Sequence, residues 1–139
     1  MGQTLIALDT APIIYYVEAH PEFGPKIRPI LDALIQGEIN ATISSLAHTE
    51  LLTLPLKNQD ERLIETYDQL LRGSKNLHTQ PVTTDIARAA AVLRATYGLR
   101  TPDAIHVATA ILANAECFIT NDQKLCRVQE IKVLTIEDL

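Results

Sequence analysis

Aromatic and sulfur-bearing side chains are scarce in this chain: its 139 residues include no tryptophan, four tyrosines, two phenylalanines, two cysteines and one methionine. Cys117 and Cys126 form neither a disulfide framework nor a zinc-binding pattern, and Cys117, inside the apolar run Cys117-Phe118-Ile119, reads as a small buried hydrophobe. With so few aromatics there is no platform for stacking bases. Seventeen Asp plus Glu against twelve Lys plus Arg give a net charge of −5, which excludes a broad basic face for nucleic acid. Any nucleic-acid contact is therefore expected to be local. No apolar run approaches the ~20 residues that span a bilayer, and the first twenty residues lack a secretory-signal layout. The opening Met1-Gly2-Gln3-Thr4-Leu5-Ile6 lacks the hydroxyl residue a myristoylation signal carries at its sixth position. The expectation is a cytoplasmic protein with no membrane partner. A hydrophobic fraction of 47% is enough for one domain over residues 1–139 with its own core, and no repeat or linker divides it.

Short apolar runs alternate with amphipathic ones. Leu5-Ile6-Ala7-Leu8 is too short for a helix and reads as a strand buried on both faces, stopping at Asp9. Thr10 and Pro12 then open a helix expected to end near His20-Pro21. Ile27, Ile30, Leu31, Leu34 and Ile35 define a second helix that stops at Gly37, with Pro29 expected in its first turn. Asn40 to Ile43 reads as a strand, followed by a helix capped by Ser44-Ser45 and ended by Pro55. Leu63 to Leu71 form an amphipathic helix that stops at Gly73, and Leu77 to Val82, which contains a proline, suits a sheet edge. Thr83 or Thr84 caps the next helix, which ends at Gly98. Thr101-Pro102 opens a further helix, with Thr101 as its cap, that is apolar almost all round and therefore buried. Cys117 to Thr120 and Ile131 to Leu134 are the last two strands, before a short acidic tail. Strands alternating with helices imply an α/β fold, a three-layer α/β/α sandwich around a mostly parallel five-stranded sheet.

In open parallel sheets the binding crevice lies beyond the carboxyl ends of the strands, near the point where strand order reverses. Asp9 follows the first strand, Asp122 follows the fourth, and Glu50 sits in the early turns of the helix after the second. Asp103, at the start of the apolar helix, is the fourth candidate. Four carboxylates gathered there, each pair about 5 Å apart, would repel by roughly 3 kcal/mol per pair at an effective dielectric near 20. A domain tolerates that only with protonation or a cation. Hard divalent ions with oxygen ligands answer the need, and the chemistry implied is phosphodiester hydrolysis. Without these four acids the net charge is −1, so the rest of the surface need not repel RNA strongly. Each acid also has an ordinary reading: Asp9 as a helix cap, Glu50 as a solvated helix residue, Asp103 as a partner of the helix dipole, and Asp122 as a turn or capping residue.

At these residues the sequence resembles the PIN-domain family and, within it, the small VapC-type toxins of toxin–antitoxin pairs. The resemblance covers essentially the whole chain. It is carried by Leu5-Ile6-Ala7-Leu8-Asp9-Thr10, by Thr101-Pro102-Asp103-Ala104-Ile105-His106-Val107-Ala108-Thr109-Ala110 and by Phe118-Ile119-Thr120-Asn121-Asp122, with Ser44-Ser45-Leu46-Ala47-His48-Thr49-Glu50-Leu51 as a looser match. By motif position, Asp9, Glu50, Asp103 and Asp122 look like the family's acidic metal-binding quartet, and Thr120 like the hydroxyl residue that supports it. What the resemblance implies is a Mg²⁺- or Mn²⁺-dependent endoribonuclease acting on RNA. It also implies a homodimer, inhibited by a cognate antitoxin whose tail enters the acidic groove, where an arginine would find a partner.

His106, three residues after Asp103, has two readings, contact with a metal-bound water or a phosphate and, favoured on so apolar a helix, a core histidine or one bonded to a site residue; His48 reads as structural or exposed. Arg88, Arg94, Arg100, Lys124 and Arg127 suit a solvated surface, with Lys124 best placed to meet RNA because it follows Asp122 closely. The alternatives to a toxin nuclease are a nuclease of the same family outside any toxin pair, a catalytically silent interaction module that binds a basic peptide, and an aspartate-based phosphotransfer domain. Ala11, two residues after Asp9, removes the Asp-x-Asp arrangement that the last of these would want.

Overall fold

β1 (Leu5–Leu8) lies at the centre of a five-stranded sheet of order β3-β2-β1-β4-β5, in a computed structural model that describes residues 4–139. Residues 1–3, on which the acylation reading of the N-terminus bears, lie outside the described residues. Every pairing is parallel, so each connection crosses over, and helices supply those crossings except between β4 and β5, which a 3-10 turn joins. After β1 come α1 (Thr10–Val17) and α2 (Gly24–Ile35), then β2 (Asn40–Ser44), α3 (Leu46–Lys57), α4 (Glu61–Gly73) and β3 (Leu77–Gln80). The chain returns through α5 (Thr84–Tyr97) and α6 (Thr101–Leu112) to β4 (Phe118–Thr120), and ends with a 3-10 turn at Gln123–Arg127, β5 (Val133–Thr135) and a second 3-10 turn at Ile136–Asp138.

Strand side chains alternate between two cores, as a period of two requires. Ile6, Leu8, Ala41, Ile43 and Ile119 face α1 to α4, where they meet Ile13, Ile27, Leu31, Tyr67 and Leu71. Ala7 and Phe118 face the other way, onto Ile86, Leu93, Ala104, Val107 and Ala108 of α5 and α6. α6 is buried along most of its length, as its nearly all-apolar sequence predicts.

Several boundaries differ from the sequence expectations for local reasons. α1 stops at Val17, before His20-Pro21, because Ala19 takes a left-handed backbone (φ 52°) and His20 N–H turns back to the Tyr15 carbonyl. The His20 ring then accepts from the N–H groups of Glu22 and Phe23, and α2 begins at Gly24. A Cβ at Gly24 would lie 3.2 Å from the Tyr15 carbonyl oxygen, so the approach of α1 and α2 favours glycine there. Pro25 occupies the first turn of α2, and Pro29 lies inside the helix, where it leaves one carbonyl near the helix start without its usual donor. Pro55 does not end α3 but is buried within its last turn, and the helix runs on to Lys57. α6 has Arg100, not Thr101, at its N-cap, and no side chain caps it. β5 starts two residues later than the pattern suggests, and the acidic tail is tied down by Ile136, which is fully buried.

Other expectations hold. β3 stops before Pro81 and forms a sheet edge. Thr83 caps α5 through its hydroxyl, which accepts from Ile86 N–H, and Gly98 ends that helix in a left-handed conformation (φ 69°). Cys117, expected to be buried, is only half-buried against the first core, and Cys126 is exposed. Ile119, 1% exposed beside the central strand, is the side chain whose truncation should be felt at the sheet's carboxyl edge. Ile119→Ala is expected to lower unfolding free energy by roughly 3 kcal/mol in a urea titration, from reduced burial and the cavity left behind.

Candidate active site

Chain order reverses between β1 and β4. β1 runs outward to β2 and β3 on one side, and β4 with β5 fills the other, so the carboxyl ends of β1 and β4 flank the crevice expected at such a point. Asp9 N–H donates to the Ile119 carbonyl across this junction at 2.9 Å, which fixes the two strand ends side by side. Here the surface opens into a cleft of about 410 Å³ whose walls include Asp9, Glu50, Asp103, Thr120 and Asp122. All four acids singled out from sequence thus reach one cleft, with the hydroxyl residue among them.

Each acid is held by a donor. Asp9 Oδ1 accepts from Thr10 N–H at 2.7 Å, and its Oδ2 accepts from the Thr120 hydroxyl at 2.7 Å. That hydroxyl also accepts from Asp122 N–H at 3.1 Å, so Thr120 orients both neighbours. Glu50 Oε1 accepts from the Thr10 hydroxyl at 2.7 Å and from His106 Nε2 at 2.5 Å. A carboxylate only accepts, so the His106 proton facing it sits on Nε2. Asp103 Oδ2 is paired with Arg100 Nε at 3.2 Å, and Asp122 Oδ1 accepts from Lys124 N–H at 3.0 Å as it caps the 3-10 turn. The second oxygens of Glu50, Asp103 and Asp122 accept no hydrogen bond among the described residues.

Burial pushes the Asp9 carboxyl above its ordinary range, and the neighbouring Asp103 carboxylate adds to the shift. The His106 ring and the hydrogen bonds from Thr120 and Thr10 pull the other way without overcoming burial. The ordinary readings of Asp9 and Asp122 are therefore also true: both cap the element that follows while lining the cleft.

Among the described residues, no three His, Cys, Asp or Glu side chains are gathered closely enough to hold a metal ion by themselves. Like charges hold one another apart, and the donors on Asp9, Glu50, Asp103 and Asp122 keep each carboxylate on its own wall. The donor set still suits a hard cation. It is entirely oxygen, and Mg²⁺ takes one or two carboxylates directly while keeping waters in its other positions.

Thr10 is the residue that sequence reading passed over. It appeared only as a helix start, yet its backbone holds Asp9 and its side chain holds Glu50, forty positions away. The available signal was a hydroxyl residue directly after the acid at a strand end. His106 is 3% exposed and bonded to Glu50, as one branch of its sequence reading has it, and its Nδ1 has no partner. His48 bonds the Thr79 hydroxyl, joining α3 to β3 rather than entering the cleft.

The PIN domain model matches residues 6–131, and the chain belongs to the PIN domain family. Solved structures of the same fold include VapBC2 from Rickettsia felis bound to a DNA fragment from its promoter, with TM-score 0.76 and 20% identity over 95% of this chain and 98% of that one. A toxin–antitoxin complex from Klebsiella pneumoniae aligns with TM-score 0.73 and 24% identity over 96% and 99% of the two chains. DNA-bound VapBC from Salmonella typhimurium gives 0.75 and 19% over 96% and 98%. At these identities the likeness is one of fold. No curated protein matches the chain.

The raised Asp9 carboxyl has a consequence for stability. A group whose pKa is raised by folding stabilises the fold most when protonated, below its unfolded value near 3.8, and that contribution is lost as pH rises through the folded value. At neutral pH the buried charge is a cost. Without added divalent ions, Asp9→Asn is expected to melt higher than wild type at pH 7, and calorimetry should show the gap closing as pH falls toward 4.

Proposed function

We propose that the chain is a divalent-metal-dependent endoribonuclease, the toxin of a toxin–antitoxin pair, acting in the cytoplasm as a single-domain protein. The observation that carries this reading is the convergence of Asp9, Glu50, Asp103 and Asp122 on one cleft at the β1/β4 junction. Membership of the PIN domain family supports hydrolysis of nucleic acid, and solved complexes with the same fold, named as VapBC or toxin–antitoxin assemblies, support the toxin role.

Asp9, Glu50, Asp103 and Asp122 would hold Mg²⁺ or Mn²⁺, which when bound would neutralise charge at the phosphoryl oxygens and make nearby water more acidic. Asp9, held on both oxygens, provides a rigid anionic floor, and burial makes its charge costly until a cation offsets it. Glu50 is locked at Oε1 by Thr10 and His106, which leaves Oε2 as the oxygen that can ligate. Asp103 keeps Oδ1 free in the same way, and Asp122 keeps Oδ2. Thr10, Thr120 and His106 orient these acids. One free oxygen on each of these three acids would be available to hold a hard divalent ion, a donor set that suits Mg²⁺ or Mn²⁺.

An RNA strand is the substrate in this reading, and local basic groups rather than a basic face meet its backbone. The partner is an antitoxin whose basic segment occupies the same acidic cleft, where an arginine forks onto a carboxylate. The active form is a homodimer.

Cleavage of a labelled structured-RNA pool by purified protein tests the reading. Activity should require Mg²⁺ or Mn²⁺, vanish in EDTA and fall by more than about 100-fold in Asp9→Asn and in Asp103→Asn. Mn²⁺ should raise the melting temperature of wild type and raise that of Asp9→Asn less. A folded wild type that cuts nothing and melts at the same temperature with and without Mn²⁺ would sink the nuclease reading and leave a peptide-binding module.

A further inference from the structure

The acid cleft does not end at Asp103 and Asp122. These residues and Arg100 also line an adjoining cavity of about 360 Å³, together with Lys124 and Arg127. Arg127 is unusual among the exposed cations because its guanidinium is tied down twice, Nε to the Lys124 carbonyl at 3.1 Å and Nη2 to the Tyr97 carbonyl at 2.8 Å. Both partners are neutral, so its charge is fixed in place but not cancelled. Glu130, in the segment that follows, hydrogen-bonds the Tyr97 hydroxyl instead of pairing with Arg127. Among the described residues the one pair of a Lys or Arg with a carboxylate is Arg100 with Asp103, so Lys124 and Arg127 carry free positive charge at the edge of an acidic cleft.

An RNA strand threaded past four carboxylates needs an attractive contact for phosphates outside the reach of the catalytic cation. A positively charged groove that tracks the backbone is how single strands are held without base readout, and an arginine whose geometry is already set loses little freedom on gripping a phosphate. Resting on the nuclease reading, we propose that Lys124 and Arg127 form a second subsite that holds a backbone phosphate of the RNA next to the one being cut. The same two residues explain how a chain of net charge −5 engages a polyanion locally.

Arg127 also has a plain structural use, since Tyr97 lies in the last turn of α5, where carbonyls lack helical donors. The test must separate the two. Lys124→Gln, Arg127→Gln and the double variant, as full chains, would be assayed on an RNA oligonucleotide that wild type cuts, and on copies carrying one neutral methylphosphonate at successive positions around the cut. The double variant should raise KM about tenfold with kcat within about twofold. The slope of log affinity against log salt should flatten by about 0.7 for each phosphate that the variant no longer neutralises. One flanking methylphosphonate should weaken wild type by a similar factor and add nothing in the double variant. Unchanged KM in both Lys124→Gln and the double variant overturns the subsite, as does a wild type indifferent to every neutralised flanking phosphate. A lower melting temperature and kcat at constant KM in Arg127→Gln assigns that residue to the end of α5 and overturns its part. If wild type cuts no RNA, the nuclease reading fails by itself. Fluorescence anisotropy of a labelled single-stranded RNA oligonucleotide in EDTA then decides the subsite: binding that the double variant loses supports it, and binding that the double variant keeps overturns it.

Discussion

The parallel pairing of β1 with β4 is the constraint on which the rest of the structure depends. These strands are separated by more than a hundred residues of chain, and all of α1 to α6 lie between Leu8 and its neighbour Ile119 in sequence. Once they pair, Asp9 N–H closes onto the Ile119 carbonyl, and the residues just beyond the strand ends face one another. Thr120 then reaches Asp9 with its hydroxyl while accepting from Asp122 N–H. α6 runs along the same junction, which brings Asp103 to the rim and His106 beneath Glu50. Strand order, not any local motif, turns dispersed acids into a site.

That site works against the fold that holds it. Asp9 is buried enough for its charge to be unwelcome, and Asp103 makes the position worse. Hydrogen bonds from Thr10 and Thr120 offset part of the penalty but leave the carboxyl raised. Residues kept in this condition cluster where function needs them, since an ordinary core would place an apolar or neutral side chain there. In the proposed reading, a divalent cation held in the cleft would remove the conflict at Asp9. The same logic explains the hydrogen bonds that hold each acid on its own wall. They limit repulsion without a cation and leave the opposite oxygens of Glu50, Asp103 and Asp122 free.

Much of this was legible residue by residue. The apolar run Leu5-Ile6-Ala7-Leu8, the Thr83 cap, the stop at Gly98 and the nearly all-apolar α6 each carry their structure in short patterns that hydrophobic burial and backbone sterics enforce locally. Prolines were less readable. Pro55 reads as a stop, yet it lies buried inside α3, where its missing N–H leaves the Leu51 carbonyl without the helical donor and tertiary burial overrides the local rule. α1 ends early because of a left-handed residue, Ala19, that composition does not mark. The candidate acids were legible because a carboxylate at the end of a strand can be placed relative to the sheet from order alone.

The sequence by itself determined the alternation of strands and helices, the two-sided core and the identity of the four acids, since all of these follow from periodicity and position along one chain. Only the tertiary structure decided what holds them. The Thr10 hydroxyl meets Glu50 across forty residues, His106 meets it across fifty-six, and Thr120 meets Asp9 across one hundred and eleven. It also decided that Arg127 is pinned by neutral carbonyls thirty and three residues away, so that its charge stays free beside the cleft. Hydrogen bonds depend on distances of a few tenths of an ångström between atoms that only the packed crossovers bring together, whereas hydrophobic pattern and strand order are carried by the chain before it folds.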